Sequence, residues 1–120
     1  MMRPDDALPA VYLCREPVDF RKGIRTLSLF VEDALGRNPF SERLFVFINR
    51  RRDKIKILYW ERSGFCLWQK QLEEERFHWP RHLGPEMVWT INGQQLNWLL
   101  DGFDLARMKP HRRLAYQNLS

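Results

Sequence analysis

The side chains able to make or break bonds are few in this sequence, and none falls into a catalytic spacing. His78 and His82 lie four residues apart, a separation that on a helix would turn two imidazoles toward one metal ion. Pro80 stands between them and cannot continue a helix, so ordinary surface or half-buried histidines are expected. His111 is far away in the chain. Asp19, Asp53, Glu61, Asp101 and Asp104 are of the type that holds paired Mg²⁺ in nucleases. Each has a plainer reading as a helix cap, a hairpin turn or a helix end, and no apolar strand carries an Asp that its backbone would hold rigid. There is no nucleophile elbow, no Walker phosphate loop and no dinucleotide fingerprint. Cys14 and Cys66 sit singly in apolar segments, which reads as buried thiols in a reducing compartment rather than a disulfide or a zinc site. No catalytic residue, metal or cofactor is expected. A metal-dependent nuclease is the enzymatic alternative.

The cations are better organised. Arg50, Arg51, Arg52, Lys54 and Lys56 fall within one short segment against a single acid, Asp53. Arg21, Lys22 and Arg25 form a second cluster. Neutralising phosphates with such groups releases counterions and binds nucleic acid whatever its sequence. A basic β-ribbon can lie in a groove or follow a backbone. The competing reading is a solvated edge hairpin whose lysines discourage strand addition. For the Arg21 cluster it is a solvated helix surface. Trp60 could stack on a base or pack into the sheet. The expected nucleic-acid-binding residues are therefore Arg21, Lys22, Arg25, Arg50, Arg51, Arg52, Lys54, Lys56 and Trp60.

The elements that must position these groups can be read from hydrophobic periodicity. Residues 1–10 carry two prolines and no period, a loose leader. Val11-Tyr12-Leu13-Cys14 is a short strand. Over 19–35, Phe20, Ile24, Leu27, Val31, Ala34 and Leu35 recur at helical spacing, with Asp19 as N-cap and Gly36 as stop. Residues 44–48 and 55–60 read as two strands of a hairpin whose turn holds the three arginines. One face of the second strand carries Ile55, Ile57 and Tyr59; the other carries Lys54, Lys56, Leu58 and Trp60. For 65–74 a helix with Phe65, Trp68 and Leu72 on one face competes with a third strand. Residues 76–80 read as extended and 87–91 as a strand. Asn92-Gly93 opens a short helix with Leu96, Leu99 and Leu100, ended by Gly102. The expected fold is α+β: one small domain over 11–104, mainly an antiparallel sheet with a central basic hairpin and two or three helices. Residues 105–120 are expected to be a mobile basic tail.

The chain has 120 residues, 44% hydrophobic and 13% aromatic, enough for one core and too apolar for a disordered chain. No apolar run is long enough to span a membrane, and the first residues lack the pattern of a signal peptide. A cytoplasmic protein is expected. Lys plus Arg total 20 against 15 Asp plus Glu, a net charge of +5 that favours polyanionic partners. That excess is local: the segment 50–56 alone carries +4 and the tail from 105 another +4.

The order of these pieces resembles the small accessory proteins of the IS-sixty-six insertion-sequence family, the TnpB or Orf2-like proteins. The residues that carry the resemblance begin with Asp19-Phe20-Arg21-Lys22-Gly23, Gly36-Arg37-Asn38-Pro39-Phe40-Ser41 and Leu44-Phe45-Val46-Phe47. Arg51-Arg52-Asp53-Lys54-Ile55-Lys56-Ile57-Leu58-Tyr59-Trp60 and Gly64-Phe65-Cys66-Leu67 follow. Leu72-Glu73, Arg76-Phe77, Trp79-Pro80 and Leu99-Leu100-Asp101-Gly102-Phe103-Asp104 complete it. The match covers about residues 9–104. The resemblance implies a bacterial mobile-element protein, encoded beside a separate acid-triad transposase, with that transposase and other element-encoded proteins as the expected partners. It would assist transposition without an active site, with DNA at the element ends as the expected ligand. A pure protein-interaction module that binds no DNA is the alternative. Glu61 stands where the family pattern has Asp, and Glu42 and Glu75 stand where it has Gly.

Overall fold

The computed structural model describes residues 4–8 and 10–108. Five strands form one sheet: β1 (Val11–Cys14), β2 (Leu44–Ile48), β3 (Lys54–Glu61), β4 (Gly64–Gln71) and β5 (Val88–Ile91). Their spatial order is β4-β3-β2-β1-β5. β1 and β2 are parallel, joined through helix α1 (Ile24–Asp33), and the other neighbours are antiparallel. A second helix, α2 (Gly93–Leu100), follows β5. The mostly antiparallel α+β architecture is thus as expected, with one parallel pair that requires the helical crossover.

Both faces of the sheet are covered. Phe45, Phe47 and Leu58 point to one side, where they meet Leu27 and Val31 of α1. Val46, Ile48, Ile55 and Ile57 point to the other, where they meet Leu96, Leu99 and Leu100 of α2 together with Phe77 and Trp79. Two-sided burial explains the near-continuous apolar runs of β2 and β3. It also corrects the helix expected over 65–74, which is strand β4. Phe65 and Leu67 pack on the α1 side while Trp68 and Leu72 pack on the α2 side. An apolar residue on each face erases the two-residue alternation that would have marked a strand.

Helix α1 begins later than its periodicity suggests. Gly23 is its N-cap and no side chain caps it. The reason is Lys56, whose Nζ donates to the carbonyls of Phe20 at 2.8 Å and Lys22 at 2.9 Å. In a helix starting near residue 19 those carbonyls would instead accept amides four residues on. Asp19 stays outside the helix: its Oδ1 accepts from the amide of Arg21 at 2.9 Å. Gly36 does end the helix region, with φ of 63°. Glu42, where the family pattern has Gly, also holds φ of 63°, a conformation that favours glycine.

α2 opens with a reciprocal cap. Asn92 Oδ1 accepts from the Gln95 amide at 2.8 Å, and Gln95 Oε1 accepts from the Asn92 amide at 2.9 Å. Where the leader is described, the Pro4 carbonyl and Asp6 Oδ1 accept from Asn97 Nδ2 at 2.8 and 2.6 Å, and the Leu8 carbonyl accepts from the Gly93 amide at 2.9 Å. At the other end Leu105–Arg107 forms a 3₁₀ turn with Leu105 buried. The rest of the expected tail, 109–120, lies outside the described residues.

Candidate nucleic-acid interface

The arginine turn is built by the residues on either side of it. The Arg52 amide donates to the Asn49 carbonyl at 3.1 Å, and Arg52 itself sits at φ of 64°. Of the four residues between the paired Asn49 and Lys54, Arg52 takes the left-handed region, where Gly or Asn is the usual occupant. An arginine there costs about 1 kcal/mol or more in backbone strain. Asn49 pins the turn from inside. Its Oδ1 accepts from the amides of Asp53 at 3.1 Å and Lys54 at 3.0 Å, and its Nδ2 donates to Asp53 Oδ1 at 2.6 Å. That last bond holds the Asp53 carboxyl below the usual carboxylate range. The acid of the segment is thereby engaged within the turn while Arg50 and Arg51 stand exposed.

The chain after β4 returns to brace the turn. Leu72 donates its amide to the Asp53 carbonyl and Phe77 donates to the Arg52 carbonyl, both at 2.8 Å. This brings Arg76 and His78 beside the arginines. A cleft of about 520 Å³ is lined by Arg50, Arg51, Arg52, Arg76, Phe77, His78, Trp79 and Asp104. Phe77 and Trp79 are buried and form its apolar floor, and Trp79 is fixed by donating Nε1 to the Arg15 carbonyl at 3.0 Å. On the opposite flank lies a second cleft, about 470 Å³, which Arg50 and Arg51 share with Arg21, Lys54, Asp19 and Phe20. The turn is therefore a ridge between two basic hollows.

Arg21 is held at the second hollow by Asp19, through Nε at 2.9 Å and Nη2 at 2.6 Å to Oδ2. The hydrogen bonds from Arg21 lower the Asp19 carboxyl to about 2. The guanidinium is anchored at its base yet 91% exposed.

The expected site residues thus divide. Arg21, Arg50, Arg51, Arg52 and Lys54 converge on the ridge and its flanks. Lys56 does not: only 6% of it is exposed, its ammonium is taken by two carbonyls and it lies 4.8 Å over the Phe20 ring. Burial pushes its pKa down. Lys22 leans over the Phe30 ring at 4.9 Å, and Arg25 is exposed on the first turn of α1; neither lines the hollows. Trp60 lies at the far end of β3, packed edge-on against Phe40 and Phe65 with ring centres 5.0 Å away in each case. The β-ribbon is corrected to a turn, because β2 and β3 are interior strands with neighbours on both sides. Arg76 and His78 were missed as site residues. The long-range bonds from Leu72 to Asp53 and from Phe77 to Arg52 place them, and local spacing carries no trace of either.

Other chemistry is sparse. Among the described residues no three His, Cys, Asp or Glu side chains gather as metal ligands, and no helix is long and apolar enough to cross a membrane. Cys14 and Cys66 are both free thiols. Burial pushes the Cys14 thiol up to about 11, so it stays protonated at neutral pH, and Cys66 is half-buried rather than buried.

The family model described as IS66 Orf2 like protein matches residues 9–110. Uncharacterized protein y4hO of Sinorhizobium fredii is 34% identical over 103 residues, covering 86% of this chain and 88% of its own. Uncharacterized protein y4jC of the same organism is 32% identical over 105 residues, covering 82% and 83%. No solved structure matches. On a match that runs through every strand and both helices, the chain belongs to the IS66 Orf2-like family of insertion-sequence accessory proteins.

Proposed function

We propose that this protein assists transposition by holding DNA of its element through the arginine turn, acting beside the transposase in the bacterial cytoplasm and without catalysis of its own. One observation carries the reading: Arg50 and Arg51 project between two hollows that add Arg21 and Lys54 on one flank, Arg52, Arg76 and His78 on the other. A ridge of this form meets a phosphate backbone on both sides at once, and its interactions are with phosphates rather than base edges. The strain accepted at Arg52 supports a role for that side chain, since strained conformations persist where function retains them.

The test is the salt dependence of binding. Replacing Arg50, Arg51 and Arg52 with Ala is expected to weaken duplex binding in gel shifts and to flatten the slope of log K against log salt by up to about 3. Binding with unchanged slope removes the turn from the mechanism. A second reading, contact with the transposase alone, draws on the aromatic trio of Phe40, Trp60 and Phe65, in which Phe40 is 52% exposed. Co-purification with the transposase in the absence of DNA, together with no DNA retention at low salt, selects it.

A further inference from the structure

We propose that the protein forms a two-fold dimer by pairing strand β4 with β4 of a second copy. β4 is at the edge of the sheet, with β3 on its inner side only. The two-residue turn between β3 and β4 pairs Glu61 with Gly64. Hydrogen-bonded pairs then alternate from that point, so Gly64, Cys66 and Trp68 bond inward to β3 while the backbone groups of Phe65, Leu67 and Gln69 face outward. No loop or turn among the described residues bonds these outward groups.

Natural sheets guard such an edge with proline, bulges, very short strands or standing charges. β4 has none of these over 64–69: it is eight residues long, regular, and reads Gly-Phe-Cys-Leu-Trp-Gln before its first charge. That charge, Lys70, folds back and donates Nζ to the Leu100 carbonyl at 2.7 Å, so it does not project along the edge. The opposite edge is different. β5 has only four residues and is preceded by Pro85 and Glu86.

A second copy fits because the edge complements itself. A two-fold axis normal to the sheet keeps the α1 face of one copy level with that of the other, which restricts the pairing to registers joining residues of like parity. Two such registers pair seven of the eight strand residues, centred on Leu67 or on Trp68; the one centred on Trp68 opposes Phe65 to Gln71 and Leu67 to Gln69. Extended past the strand ends, it carries the exposed Arg62 of each copy to the exposed Glu73-Glu74-Glu75 run of the other. Glu61 also nears that run, with its carboxylate turned toward Cys66 Sγ at 3.8 Å. The product is one continuous sheet with an arginine turn at each end, able to hold two DNA segments. That consequence rests on the DNA-binding reading, whereas the dimer itself does not.

Sedimentation equilibrium of the full chain over a concentration series tests the pairing. The expected wild-type mass is twice the 14.6 kDa of the chain. Gln69→Pro removes an outward amide without touching the ladder to β3 and is expected to sediment as a monomer with unchanged circular dichroism. Should Gln69→Pro fail to fold, Arg62→Glu decides: dimerisation about tenfold weaker, restored by adding Glu74→Arg. A wild-type monomer, which would leave the edge to a strand from another protein, overturns the proposal. So does a folded Gln69→Pro dimer, or a dimer indifferent to Arg62→Glu. Gel shifts on the Gln69→Pro monomer keep the two readings apart, since its turn is intact.

Discussion

Lys56 and Asp19 show how single side chains divide the basic charge between structure and surface. Lys56 belongs to the same cationic run as the arginines, yet it reaches inward to the Phe20 and Lys22 carbonyls. Lys56→Ala should lower stability by about 2–3 kcal/mol in denaturant unfolding, because two carbonyls lose a charged donor. The folded fraction should still bind DNA with the wild-type salt slope. Asp19 works in the other direction, holding Arg21 at the rim of a hollow. Its carboxyl lies near 2 in the folded protein, below the ordinary value of about 3.9. A depressed folded pKa means that the contribution is complete above the ordinary value and is lost as pH falls toward 2. Asp19→Asn should therefore flatten the acid limb of the stability curve between about pH 4 and about pH 2, read from denaturant midpoints. This arrangement was only partly legible beforehand. The spacing of cations marked where charge collects. It could not mark which ammonium turns inward, because that depends on carbonyls 34 and 36 residues away.

At the scale of elements, the sequence was most readable where one signal acted alone. The α2 helix, with Asn92 before it and Gly102 after it, matched its cap and stop residues. The hairpin of β2 and β3 matched its β-branched and aromatic runs. Legibility failed where tertiary structure overruled a local pattern. β4 looks helical because Phe65, Trp68 and Leu72 have helical spacing, but the sheet is buried on both faces, so Phe65 and Trp68 find apolar partners on opposite sides of one strand and Leu72 packs just beyond its end. The described part of the leader docks on α2 through Pro4, Asp6 and Leu8. That dock makes a strict demand on Gly93. A Cβ there would lie 2.0 Å from the Asp5 carbonyl oxygen. Gly93→Ala should displace residues 4–8, cost about 1–3 kcal/mol and expose the leader to proteolysis, with the basic turn unaltered.

For the molecule as a whole, the sheet is the rigid support for the arginine turn. Interior strands β2 and β3 fix the position of the turn, and the segment from Leu72 to Trp79 locks it from the side through the Asp53 and Arg52 carbonyls. The far end of the same sheet carries the aromatic trio of Phe40, Trp60 and Phe65. DNA binding and protein contact would therefore occupy opposite ends of the domain. Amide-resolved NMR during titration with duplex DNA at low salt tests this division most directly. Shifts confined to residues 49–54, with smaller ones over 76–79 and 18–21, are the predicted result. Shifts centred on Phe40, Trp60 and Phe65 with the arginine turn silent would contradict it.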